Sequence, residues 1–132
     1  FDEQISLATR FDLPLIIHSV QATEDVTDLL KSHSKSRGVI HAYSGSIQQA
    51  ENLLKINFSF GFGNTLTNPQ AYKLHDIVKF LPIESIVIET DDHKNPDELI
   101  QVAERVARIK KLTVDQVIEQ CDQNTRNIFN IN

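Results

Sequence analysis

Three residues stand where metal or acid–base chemistry is easiest to build: His18, His41 and Asp91, each just beyond a short apolar run. Leu13-Pro14-Leu15-Ile16-Ile17 leads into His18-Ser19, Gly38-Val39-Ile40 into His41-Ala42-Tyr43-Ser44-Gly45-Ser46, and Ser85-Ile86-Val87-Ile88 into Glu89-Thr90-Asp91. Runs this short suit strands buried on both faces rather than helices, so each polar group falls where a strand ends and its loop begins. Taken singly, a strand-end His is more often a hydrogen-bonded structural residue, and Asp91 can simply cap the next turn. At equivalent positions on neighbouring strands, the three form a sulfur-free nitrogen and oxygen donor set that suits Zn, Mn or Mg. Spacing alone therefore marks a candidate metal site.

The other polar candidates have plainer readings. Glu89 points to the opposite strand face from Thr90 and serves loop structure at least as readily as catalysis. His33 sits in a charged loop and His75 on an amphipathic helix, so both read as solvated. His93 follows Asp91 closely and has no assigned role. Tyr43 and Asn64 fall where they can line a site, although an aromatic after a strand more often packs. Cys121 reads as a small helix residue.

The elements that must position these groups follow from periodicity. Phe1, Ile5 and Ala8 fall on one face of a helix over residues 1–10, which Asp12-Leu13-Pro14 breaks before the Leu15-Ile16-Ile17 strand. Thr23 is expected to cap the next helix, with Glu24 and Asp25 in its first turn and Val26, Leu29 and Leu30 on its apolar face. Lys31 to Arg37 is a polar loop, and Val39-Ile40-His41 the second strand. Ser46 with Gln49 forms a capping box for a helix ending near Asn57. Phe58 to Asn64 alternates aromatic and small residues, a strand with one packed face and one approached closely by backbone or ligand. Asn68-Pro69 predicts a helix start that Pro82 closes, and Ser85 to Asp91 the fourth strand. Asn95 as cap and Pro96 at the first helical position open a helix carrying Leu99, Val102, Ala103, Val106 and Ile109. Thr113 and Gln116 form a second capping box, for a last helix running towards Asn124 or Arg126.

The order αβαβαβαβαα calls for a parallel sheet with right-handed crossovers. Four strands cannot close an eight-stranded barrel, and barrel sites lie at the C-terminal strand ends, where His18, His41 and Asp91 fall. The expected α/β fold is thus half of a TIM-like (β/α)8 barrel, with residues 1–132 as a single domain.

Composition excludes several classes. With 40% hydrophobic and 23% charged residues, the chain is neither a disordered tail nor a membrane protein. One cysteine precludes an internal disulfide, and no leader pattern opens the chain, so a soluble, cytoplasmic protein is expected. A net charge of -5 opposes loose attraction to a polyanion, so a phosphate substrate would need bound cations or a local basic patch. The chain opens on Phe1 rather than Met, compatible with a fragment or a processed chain.

Leu13 to Ser19, Gly38 to Ser46 and Ile88-Glu89-Thr90-Asp91 resemble, in order and spacing, the successive His, His-Cys-Phe-Ser-Gly and Glu-Thr-Asp motifs of TatD-type metal-dependent deoxyribonucleases, within the amidohydrolase-like barrels. Phe1-x-x-Gln4-x-x-Leu7-Ala8 is similar to the helix before the first of these strands, and Asn124 to Ile131 to the closing Asn-x-x-x-x-Phe segment. The resemblance covers essentially the whole chain and places it as the C-terminal half of the barrel domain. It implies two divalent metal ions and hydrolysis of phosphodiester bonds, typically of DNA from the 3′ end, with DNA or another phosphodiester as partner. His18 and His41 would then bind one metal and Asp91 the other, with Asp91 also able to accept the nucleophile's proton. The family's early His-x-His pair and bridging Glu belong to the other half of the barrel. Val20 stands where an Arg commonly follows His-Ser, and Asp92-His93-Lys94-Asn95-Pro96 replaces a longer loop after Asp91. Two alternatives keep the fold: a hydrolase of an amide, ester or phosphotriester, or a truncated half-barrel without catalysis.

Overall fold

The computed structural model describes residues 1–91 and 94–132, so Asp92 and His93 lie outside the described residues. The elements, in order, are α1 (Asp2–Arg10), β1 (Leu15–His18), α2 (Thr23–Lys31), β2 (Gly38–His41), α3 (Ile47–Leu54), β3 (Phe58–Phe62), α4 (Tyr72–Phe80), β4 (Ile86–Ile88), α5 (Asp97–Lys110) and α6 (Val114–Phe129). Short 3-10 turns at Asn64–Thr67 and Ile83–Ser85 precede α4 and β4. The four strands form one parallel sheet in the order β1-β2-β3-β4, the expected half-barrel arrangement.

Register divides the strand residues between two faces. Ile17 aligns with Ile40, Ile40 with Phe60 and Phe60 with Ile86, all 3% exposed or less and all in the core beneath the helices. Phe58 and Phe62 join them, so the aromatic positions of β3 form the centre of the core. The opposite face carries Ile16 and His18, then Val39 and His41, then Ser59 and Gly61, then Val87, by the alternation of side chains along a strand. Apolar residues of α5 and α6, including Val102, Val106 and Val117, complete the helical side.

Both predicted capping boxes form: Ser46 with Gln49 and Thr113 with Gln116 exchange side-chain and backbone hydrogen bonds in both directions. Other boundaries differ for local reasons. Thr23 is the first residue of α2 rather than its cap, because its hydroxyl donates to the Ser19 carbonyl (3.3 Å) and Ala22 holds the cap position. Helix α4 starts at Tyr72 rather than near Pro69, since the Asn68 side chain accepts from the Gln70 N–H (2.9 Å) in a local turn. Pro96, not Asn95, caps α5, with Asn95 reaching the Glu98 side chain instead of the backbone. Strand β4 pairs only as far as Ile88, although the Glu89 N–H continues the ladder to the Phe62 carbonyl (2.9 Å). Helix α6 runs past Arg126 to Phe129 and ends on Asn130 in the left-handed region, φ 53°. Among the described residues, no helix is long and apolar enough to cross a membrane.

The two histidines expected to be solvated each have a partner. His33 Nε2 lies 2.7 Å from Asp2 Oδ1, joining the loop after α2 to the start of α1, and His75 Nε2 lies 3.0 Å from the Leu66 carbonyl oxygen.

Candidate metal centre

The parallel register places His18 directly beside His41, with ring centroids 4.9 Å apart and planes tilted by 39°. On the same side of the sheet, Asp91 Oδ1 lies 3.1 Å from His41 Nε2, and Glu89 Oε2 lies 2.8 Å from His41 Nδ1. His41 is thus held between two carboxylates. It and Glu89 are mostly enclosed, their side chains 17% and 18% exposed, whereas that of Asp91 is 83% exposed and reachable from solvent.

Glu89 directly follows β4 and His41 ends β2, so the Glu89 carboxylate must cross β3 to make this contact. It crosses at Gly61. A Cβ built there would overlap Glu89 Oε2 and lie 2.7 Å from its carboxyl carbon, which no side chain tolerates without displacing the carboxylate. The other oxygen of Glu89 accepts the Ala42 N–H at 2.5 Å. Ala42 has a left-handed backbone, φ 48°, a conformation that costs a non-glycine residue about 1 kcal/mol and persists where surroundings hold it. The small residues of β3 signalled a close approach in the sequence; the group that approaches is a side chain from 28 positions further along the chain.

Tyr43 does not line this site. It is 2% exposed, stands edge-on to Phe60 (centroids 4.9 Å apart) and donates its hydroxyl to the Ser46 carbonyl at 2.7 Å. Burial pushes its phenol well above the usual range. Asn64 does line the site, with Ala42, Thr65, Glu89, Asp91 and Glu98, around a hollow of about 230 Å³. A larger hollow of about 530 Å³ lies between the starts of α2 and α3, away from the His41 ring, and has Val20 and Lys73 on its wall.

The donor chemistry fits a divalent cation at His41 and Asp91. A neutral imidazole has one N–H and one lone pair. When that N–H is at Nδ1 and donated to Glu89, the lone pair on Nε2 faces the Asp91 carboxylate, an arrangement of two acceptors that a cation stabilises. Metal bonds of about 2.0–2.2 Å place neighbouring donors about 2.9–3.4 Å apart, which brackets the 3.1 Å separation. Among the described residues, no three His, Cys, Asp or Glu side chains form a group that could hold a metal by themselves. His18 stands next in line beside His41, and His93 lies outside the described residues.

Comparison with known proteins sets this geometry in a family. The model of the TatD related DNase family matches residues 1–130. The chain is 33% identical to the uncharacterized metal-dependent hydrolase YjjV of Escherichia coli K12, over 98% of this chain and 55% of that protein. Two human proteins also match: deoxyribonuclease TATDN3, at 30% identity over 96% of this chain and 48% of that one, and the 3′-5′ RNA nuclease TATDN2, at 26% identity over 99% of this chain and 20% of that one. The crystal structure of the E. coli TatD homologue YjjV superposes with a TM-score of 0.90 at 31% identity, covering 99% of this chain and 55% of that one. The chain thus spans about half the length of YjjV, and its helix-backed sheet of four parallel strands corresponds to half of that fold. The strand-end histidines, the carboxylates that follow β4 and the match across nearly every residue agree, and the chain belongs to the TatD-related DNase family.

Proposed function

We propose that residues 1–132 are the C-terminal half of one hydrolase domain that cleaves phosphodiester bonds, with DNA as substrate and digestion from the 3′ end. The observation that carries this reading is the convergence of His41 Nε2 and Asp91 Oδ1 at 3.1 Å on the open side of the strand ends. In the proposed assignment, His18 and His41 hold one divalent ion and Asp91 contacts a second, its carboxylate near enough to His41 to reach the first as well, with Zn, Mn and Mg all compatible with these donors. Such ions, when bound, lower the pKa of a metal-bound water and stabilise charge on the phosphoryl oxygens.

The chain's own residues supply the rest. Asp91, largely exposed, can accept the proton of an attacking water. His41, gripped at Nδ1 by Glu89, keeps Nε2 aimed at the site. With a net charge of -5, the chain does not attract a polyanion by bulk electrostatics, so cations held at the strand ends must offset the phosphate charge. Relatives named as a deoxyribonuclease and an RNA nuclease support a nucleic-acid substrate.

The test is metal-dependent hydrolysis of end-labelled single-stranded DNA by the protein that carries this chain, with RNA, amide and carboxylic ester substrates alongside. Products shortened from the 3′ end are expected. Asp91→Asn should lower turnover by about 10² to 10⁴ while leaving the circular dichroism spectrum unchanged. Wild-type turnover in Asp91→Asn would remove the role given to Asp91, and cleavage of the amide or ester in preference to DNA would remove the substrate.

A further inference from the structure

The contact between Glu89 and His41 carries an inference of its own. A carboxylate at 2.8 Å from Nδ1 accepts a hydrogen bond from it, which places an imidazole proton on Nδ1; in the neutral ring Nε2 then keeps the lone pair. The second Glu89 oxygen accepts the Ala42 N–H and so fixes the left-handed turn immediately after His41. One side chain thereby sets both the ring orientation of His41 and the backbone on which it stands. Gly61 supplies the clearance through which Glu89 reaches.

We infer that Glu89 is a positioning residue that holds His41 as its Nδ1–H tautomer with Nε2 presented to the site, and that Gly61 is required because any larger residue displaces the Glu89 carboxylate. Its consequence for metal affinity rests on the reading of His41 as a metal donor; the tautomer itself does not. A carboxylate behind a metal-binding imidazole orients the ring and raises its basicity, and losing such a partner weakens metal binding by about 10- to 100-fold.

The experiment is a long-range proton–nitrogen correlation spectrum of the histidine rings in the ¹⁵N-labelled, chelator-treated protein at about pH 8, where unperturbed imidazole is neutral. In the wild type, His41 should show a protonated Nδ1 and an unprotonated Nε2. A proton on Nε2 overturns the inference without need of any variant. Glu89→Ala should shift the ring towards the Nε2–H form that free imidazole prefers. Gly61→Ala should do the same although it removes no functional group, and Glu89→Gln, close in size, should shift it while keeping the fold. A Glu89 that merely supports the loop would lower the melting temperature in these variants and leave the tautomer as in the wild type, which would also overturn the inference.

Calorimetric titration with Zn²⁺ and Mn²⁺ separates the two readings. Affinity in Glu89→Ala and Gly61→Ala should fall by about 10- to 100-fold. A wild-type protein with the Nδ1–H tautomer that binds neither ion refutes the metal site and leaves the positioning role intact. Tight wild-type binding with an unchanged tautomer in the variants refutes the positioning role alone.

Discussion

Replacing Asn124 with Ala should remove the clamp that seats the last helix on the strand leading to Glu89. Asn124 is 4% exposed, and its amide donates to the carbonyls of Ile83 and Ile86, both at 2.8 Å, while its own oxygen accepts from Gln120 at 2.8 Å. These bonds join α6 to the first residue of β4 and to the 3-10 turn before it, 38 and 41 positions earlier in the chain. Each carbonyl that loses its donor, buried at Ile86 and partly buried at Ile83, costs about 1–2 kcal/mol, taking the lower half of the range because the oxygen keeps a second lone pair. A small void adds a few tenths more, for a total of about 2–4 kcal/mol. A domain of this size holds about 5–15 kcal/mol, so the variant should still fold, with a urea midpoint lower by about 1–2 M at an unchanged slope. The control is Gln123→Ala, whose amide makes an exposed bond to Asn127 (2.9 Å) and whose loss should cost about 0.5 kcal/mol or less. An Asn124→Ala loss no larger than that of Gln123→Ala would refute the clamp.

Two further outcomes test helix ends and burial. Thr113→Ala and Ser46→Ala each break a capping box and should cost about 1 kcal/mol, a fall in melting temperature of about 3–4 °C by calorimetry; no change would show that these ends fray regardless. Cys121, 2% exposed and with its thiol pushed up to about 11 by burial, should resist thiol reagents in the native state and react fully in denaturant. Because its folded value lies above the unfolded one, its contribution to stability is complete below about pH 9 and lost as pH rises towards 11, about 1–2 kcal/mol by pH 10 to 10.5 in urea titrations. Tyr43 acts in the same direction, so Cys121→Ala should flatten the alkaline slope only in part.

The sequence by itself determined the elements whose cause is local. Four short apolar runs became the four strands of a parallel sheet, and the two capping boxes formed as read, because each depends on residues one turn apart. His18 and His41 were legible as strand-end neighbours, since equal positions on adjacent parallel strands come side by side. Local competition defeated other readings: the Thr23 hydroxyl and the Asn68 side chain each found a nearby backbone partner other than the expected cap.

Only the tertiary structure decided the surroundings of His41. The pairing of Glu89 with a ring and an N–H 48 and 47 residues before it, and the dependence of that reach on Gly61, arise from the order of the strands and the sideways extent of one side chain. No window of sequence contains them. Periodicity records which face a residue occupies, and the distance between two groups on that face is set by the register of every strand between them.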